Sequence, residues 1–332
     1  MLATFFQGKD QPILVTNVSK PQPTGDQVLV RIHWAALNHL DIWIRTEKTL
    51  SHGIRVTQGS DGSGIVEAVG ESGDTSLVGK EVIINPGLDW GSNPGVQADN
   101  YRILGFPDNG TFAEYLLISK KYVHPKPDHL ELNEAAAIPL AGLTAYRALF
   151  TRARLRPGER VLITGIGGGA ALFALQMAVA FQAKVYVTSS SPEKIAKAVA
   201  LGAVAGFNYN EDDWVVKARK ELRGFDVIID SAGGPQFPTL LELAAPGGRV
   251  VLFGRTRGDI PVIPPRLIYW KQLTIMGTTM GSREEFFSMV DFLEKKKIKP
   301  VIDRTFPLEE VEKAMAHMES GNQFGKILLK VN

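Results

Sequence analysis

The sequence contains no cysteine. That removes disulfides, thiolate nucleophiles and every metal site built on sulfur. It also fits a reducing compartment, where disulfides are rare. An excess of one charge is lacking too: 37 Lys and Arg face 35 Asp and Glu, for a net charge of +2. So even a balance leaves no electrostatic footprint for a nucleic acid, and no nucleic-acid partner is expected. The chain does not open with a basic segment and a long apolar run, so no secretory signal is read and a cytoplasmic protein is expected. Histidine is sparse, and the residues at 33, 39, 52, 124, 129 and 317 show no metal-ligand spacing.

Long apolar runs are absent with one exception, the uncharged stretch from Val161 to Ala183. Its length would allow a membrane span, but Gly165-Ile-Gly-Gly-Gly interrupts it. The helical remainder, Ala170 to Gln182, would reach only about 20 Å at 1.5 Å per residue. A strand, a turn and a buried helix account for it better, and no membrane partner is expected.

What is present suits a two-domain globular chain: 332 residues, 44% apolar and 22% charged. The first 125 residues read as β-rich, with strand-like runs such as Val28-Leu-Val-Arg-Ile-His and Gly64-Ile-Val-Glu-Ala-Val. Residues 85–110, full of Gly, Pro, Asn and Asp, read as a long irregular loop. From about residue 130 the rhythm changes. Strands are expected at 161–165, 184–188, 204–208, 226–230, 249–254 and 273–277, with helices such as 192–200 and 236–245 between them. That alternation implies an α/β fold, a Rossmann-type doubly wound parallel sheet. The tail reads as an amphipathic helix, with Val311, Ala314, Met315 and Met318 on one face, and a final strand from Gly325.

The clearest site signal is Val161-Leu-Ile-Thr followed by Gly165, Gly167, Gly168, Gly169 and Ala170. Glycines there permit a tight turn and let backbone N–H groups approach a pyrophosphate at a helix N-terminus. A Gly-rich turn without a ligand is the plainer alternative. An NAD site usually has Asp or Glu at the end of the second strand, on the ribose 2′-OH. Here that strand ends in Ser189, Ser190, Ser191, Pro192, Glu193 and Lys194. Ser191 suits a helix N-cap with Pro192 at the first helical position. Ser189, Ser190 and Lys194 then remain as candidates for a 2′-phosphate, and the missing acid favours NADP(H) over NAD(H).

The chain resembles the medium-chain dehydrogenase/reductases, in their zinc-independent, quinone-oxidoreductase-like branch. The matching segments are Ala36-Leu-Asn-His-Leu-Asp41, Gly59-Ser-Asp-Gly-Ser-Gly, Gly110-Thr-Phe-Ala-Glu-Tyr, Ala135 through Tyr146, the Gly165 turn, Asp230-Ser-Ala-Gly-Gly, and Gly325-Lys-Ile-Leu-Leu. The resemblance implies a GroES-like β-rich catalytic domain, 1–125 with 296–332, around a Rossmann dinucleotide-binding domain, 126–295. It implies NADPH-dependent reduction of a quinone, enone or enal by hydride transfer, and a homodimer or homotetramer. Zinc-type members hold catalytic zinc at positions that fall here on Asn38, Ser60 and the segment near Ala141, none a good ligand, so no metal site is expected. Zinc-type alcohol dehydrogenase activity and a non-catalytic NADP(H)-binding protein remain as alternatives.

Without a metal, side chains, backbone N–H groups or the nicotinamide ribose hydroxyl must polarise the acceptor. Asn38 and Asp41, in a motif at the family's cleft, are the catalytic candidates: Asn38 as donor, Asp41 as an ionised acceptor holding it. The plainer alternative is that both brace a local turn. His39 falls where zinc-type members contact the pyrophosphate. The resemblance also points to Thr144 at the nicotinamide, and to Lys326 on the cofactor. Gly254, Thr278 and Thr279 follow later strands, where open α/β sheets bind ligands. Trp90 is the best aromatic candidate for a substrate pocket.

Overall fold

The computed structural model describes residues 1–9, 11–47, 55–221 and 223–332; His52 lies outside them. The chain divides into two compact units, Met1–Ala141 with Gly281–Asn332, and Gly142–Met280.

The first unit is built on a mainly antiparallel sheet around the long strand Gln27–Ala36. Its neighbours include Asp61–Val69, Tyr115–Ser119 and the last strand, Lys326–Lys330. Val28, Val30 and Ile32 alternate inward and pack with Val66, Val82 and Leu116, as period-two patterning requires. Ala35, Leu37 and Leu329 form a second cluster with Val311, Ala314, Met315 and Met318 of the tail helix Val311–Glu319. The last strand thus sits beside the first long one.

The unit boundaries fall later than 125 and earlier than 295, at 141/142 and 280/281. The segments between are tied into the first unit. Ser63 Oγ donates to Leu132 O at 2.6 Å, Lys299 pairs with Glu134 at 2.8 Å, and His129 Nε2 lies 2.9 Å from Ile298 O. The long loop holds its own core: Trp90 packs edge-on to Tyr101 with ring centroids 5.2 Å apart, and its indole N–H donates to Asn93 O. Trp90 is 5% exposed and packs within that loop.

The second unit is a parallel sheet of six described strands. Their spatial order is Ala205–Asn208, Lys184–Ser189, Arg160–Ile163, Phe225–Asp230, Ala244–Leu252, Thr274–Gly277. The chain starts in the middle, winds to one edge, then crosses back and winds to the other. That reversal is the Rossmann order, with its switch point beside Arg160–Ile163. The fold is therefore α/β, a Rossmann sheet with a GroES-like β-rich unit. The uncharged stretch splits into strand Arg160–Ile163, a turn, and helix Gly169–Ala180. Among the described residues no helix is long and apolar enough to cross a membrane.

Candidate functional site

In the second unit, the glycine turn lies off the carboxyl end of Arg160–Ile163, at the switch point of the sheet. Gly165 and Gly167 adopt φ of +63° and +138°, conformations that residues with a Cβ rarely take. Gly168 precedes the helix Gly169–Ala180, and no side chain caps that helix. A Cβ at Gly168 would meet open space. The leading N–H groups of a helix have no partner within it, and here they face an uncluttered turn at the positive end of the dipole.

The turn is buttressed by a pair that the sequence reading left without a role. Thr164 Oγ1 donates to Asp230 Oδ1 at 2.6 Å, and Asp230 accepts from the N–H groups of Ala232 and Gly233 at 3.2 and 3.0 Å. Burial pushes the Asp230 carboxyl up, and the Thr164 hydroxyl opposes the shift. The pair joins the ends of two adjacent strands, Arg160–Ile163 and Phe225–Asp230. A threonine and an aspartate each closing a branched apolar run were its only signal.

Ser191 is the N-cap of the helix Pro192–Ala200, its hydroxyl accepting from Lys194 N at 3.2 Å, with Pro192 in the first turn. Ser189 is buried at the end of its strand, and its Oγ accepts from Ser191 N at 3.1 Å. Ser190 is exposed between them and Lys194 is half-buried. Gly254 follows the strand Ala244–Leu252, with its backbone against that of Ser231. Thr278 and Thr279 follow Thr274–Gly277, and the Thr278 hydroxyl is buried with no hydrogen-bond partner among the described residues. Thr144 is buried in the helix Pro139–Tyr146, its hydroxyl 3.8 Å from Met280 Sδ. In a parallel sheet all carboxyl ends share one edge, so Gly165–Ala170, Ser189, Ser190, Gly254, Thr278 and Thr279 are collected along it. These residues fit a dinucleotide: an open helix N-terminus, an unpaired buried hydroxyl, and no acid at the second strand end.

Asn38, Asp41 and Lys326 come together in the first unit, around Asp61. Lys326 Nζ donates to Leu37 O at 2.7 Å, Asn38 Oδ1 at 2.7 Å and Asp61 Oδ2 at 2.8 Å. Asn38 Nδ2 donates to the same Asp61 Oδ2 at 2.9 Å. Asp61 Oδ1 accepts from Leu140 N at 2.7 Å. This corrects the expectation that Lys326 reaches a cofactor: an ammonium has three donors, and all three are committed inside a buried cluster. Asp61 is the residue the sequence reading missed. Its signal was an acid set among glycines in a strand, opposite an inward-facing lysine in the last one.

Asp41 is corrected as well. The helix His39–Glu47 starts one residue after Asn38. Asp41 is fully buried, and its Oδ2 accepts from Asn38 N at 2.8 Å, bracing the turn. Its Oδ1 has no partner among the described residues. Burial pushes its pKa up to about 7, so it is partly protonated at neutral pH rather than a plain ionised acceptor. Nearby, burial and then the Lys326 charge lower the His39 pKa, which disfavours the charged imidazolium.

The Asp41 shift sets a pH dependence. The folded carboxyl keeps its proton to about pH 7 and the unfolded one releases it near 3.8. Its contribution is full below the unfolded value and is lost as pH rises through 7, up to ~4 kcal/mol in all. Asp41→Asn keeps an acceptor for Asn38 N and cannot titrate. Its stability, from denaturant unfolding at pH 4.5 and 8, is expected to vary less with pH than that of the unsubstituted chain; identical pH profiles would contradict the assignment.

Two family models match the chain: "Alcohol dehydrogenase GroES-like domain" over residues 24–128 and "Zinc-binding dehydrogenase" over 155–295. The "Zinc-type alcohol dehydrogenase-like protein YogA" of Leptosphaeria maculans is 36% identical, across 96% of this chain and 95% of its own. The quinone oxidoreductase of Homo sapiens is 31% identical, across 98% of this chain and 95% of its own. A crystal structure described as an NAD-dependent alcohol dehydrogenase superposes with a TM-score of 0.93 at 36% identity, covering 100% of both chains.

The zinc in those names does not fit the side chains here. At the positions where the family resemblance would place ligands, Asn38 already accepts from an ammonium and Ser60 Oγ donates to Leu104 O at 2.7 Å. Ala141 offers only a methyl group. A lysine 2.7 Å from the Asn38 oxygen would repel a dication. Among the described residues no three His, Asp or Glu side chains gather as a metal site requires. These relatives are named as dehydrogenases and oxidoreductases, and the chain belongs to the medium-chain dehydrogenase/reductase family as a quinone-oxidoreductase-like oxidoreductase.

Proposed function

We propose that the protein is an NADP(H)-dependent, zinc-free oxidoreductase of the cytoplasm that reduces quinones or α,β-unsaturated carbonyls by hydride transfer. The observation that supports it most is the uncapped helix behind Gly165–Gly168, open at Gly168 and set at the switch point of the sheet. Bound NADPH would supply the hydride. Gly167, Gly168, Gly169 and Ala170 would hold its pyrophosphate, Ser189, Ser190 and Lys194 its 2′-phosphate, and Gly254, Thr278, Thr279 and Thr144 the remainder. Hydride arriving at the β-carbon of an enone pushes the C=C pair toward the carbonyl oxygen, and water then returns a proton to carbon. The Asn38 amide is the donor for that oxygen, because one of its two N–H bonds is not used by Asp61.

A panel of quinones and enals, followed by dinucleotide oxidation, tests the reading. Turnover is expected, faster with NADPH than with NADH. Binding of either dinucleotide without turnover of any acceptor would favour the non-catalytic alternative, and no binding would overturn the proposal. One relative structure is described as NAD-dependent; faster turnover with NADH would move this chain to that cofactor.

A homodimer fits the second unit. Among the described residues its strand Thr274–Gly277 ends the sheet, paired on one side only, and is preceded by Val262, Tyr269 and Trp270 at 94%, 64% and 72% exposure. An open strand edge beside exposed apolar side chains is a ready surface for a second copy. Trp270→Glu is expected to convert dimer to monomer by light scattering at micromolar concentration. An unchanged mass would move the interface elsewhere, and a homotetramer would require a further face.

A further inference from the structure

We propose that the buried Lys326 ammonium, paired with Asp61, positions the Asn38 amide so that its second N–H is a fixed donor to the oxygen of the acceptor. The inference rests on the carbonyl reduction proposed above and gives its donor a physical basis.

An isolated asparagine amide turns end for end at little cost. This one cannot. Its oxygen lies 2.7 Å from the Lys326 ammonium and its nitrogen 2.9 Å from the Asp61 carboxylate. Turned over, it would set a donor against the ammonium and an acceptor against the carboxylate. Both charges are anchored from elsewhere. Lys326 also donates to Leu37 O, and Asp61 also accepts from Leu140 N. Asp61 is wholly buried and Lys326 is 3% exposed, whereas Asn38 keeps 6%. Asn38 is thus the least enclosed of the three, and its amide is the group of the cluster that the proposal sets against a ligand.

Stability alone is a weak reason for such a cluster. A buried ion pair is costly to desolvate and is often no better than an apolar pair of the same shape. What it supplies is orientation in a medium where hydrogen bonds are strong. Lys326 has no donor left for substrate or phosphate, so it acts only through Asn38. It is a positioning residue, and Asn38 is the catalytic one.

Two variants test this, Lys326→Met alone and Lys326→Met with Asp61→Asn, the second leaving no unpaired buried charge if the first fails to fold. In either, kcat with a quinone or enal at saturating NADPH is expected to fall by roughly 10- to 100-fold, short of the ~10²–10³ for losing a donor outright. The NADPH dissociation constant is expected to stay within about threefold. In an Asn38→Ala background the same changes are expected to lower kcat by less than about twofold, because their target is gone. Equal losses with and without Asn38 would overturn the proposal, as would weakened NADPH binding with kcat unchanged.

A second readout is independent of turnover. With ¹⁵N-labelled asparagine, the Asn38 amide signals, identified by their loss in Asn38→Ala, are expected to be resolved and slowly exchanging, and to lose that protection in the lysine variants. Equal protection in both would overturn the lock. A protected amide in a wild type that turns over no acceptor would instead overturn the proposed reaction, and the donor role with it.

Discussion

Gly168→Asp is expected to stabilise the fold and abolish useful NADPH binding. Gly168 sits at the N-cap of Gly169–Ala180, at φ −78°, with open space where a Cβ would go. Nothing in the turn opposes a side chain there. Aspartate is a strong N-cap, a few tenths of a kcal/mol better than glycine, and its charge suits the helix dipole. If a pyrophosphate lies on the same N–H groups, however, the carboxylate occupies its place and repels it. Two like charges about 4 Å apart at an effective dielectric of 20 cost ~4 kcal/mol. The dissociation constant for NADPH is then expected to rise by ~10²–10³. Opposite signs make the test sharp: melting temperature up, affinity down. A stabilised variant that binds NADPH normally would mean that the turn holds no phosphate.

Ser190→Asp is expected to invert the preference between the two dinucleotides. Ser190 is exposed at the end of Lys184–Ser189, just before the capping Ser191, so the change disturbs neither the strand nor the cap. An acid there would repel a 2′-phosphate and accept from a 2′-hydroxyl. Solvent screens part of the repulsion, leaving roughly a 100-fold loss for NADPH and little change or a gain for NADH. Titration of both dinucleotides by fluorescence reads the two constants. Equal losses for both would remove the 2′-phosphate from this strand end.

Local patterns in the chain were legible wherever the physics was local. The strand runs of the second unit fall within a few residues of expectation because branched apolar segments between helices have few other uses. Ser191 and Pro192 form the cap that their side chains are built for. What escaped depends on partners far apart in sequence. Asp61 meets Asn38 across 23 residues and Lys326 across 265. A lysine in a terminal strand looks the same on paper whether it faces water or a carboxylate. The protonation of Asp41 follows from desolvation, which only the packed unit determines. The Thr164–Asp230 pair, 66 residues apart, was visible as two strand ends but not as a contact. Trp90 shows the converse: nothing local in a polar loop announces a partner for an indole, yet packing on Tyr101 gives the loop its core.

The central claim is that a dinucleotide lies over the turn that opens at Gly165. Crystals grown with NADPH test it most directly. The account predicts a pyrophosphate against the N–H groups of Gly167 through Ala170, with the 2′-phosphate beside Ser190. A dinucleotide bound elsewhere, with that turn empty at saturating concentration, would contradict it.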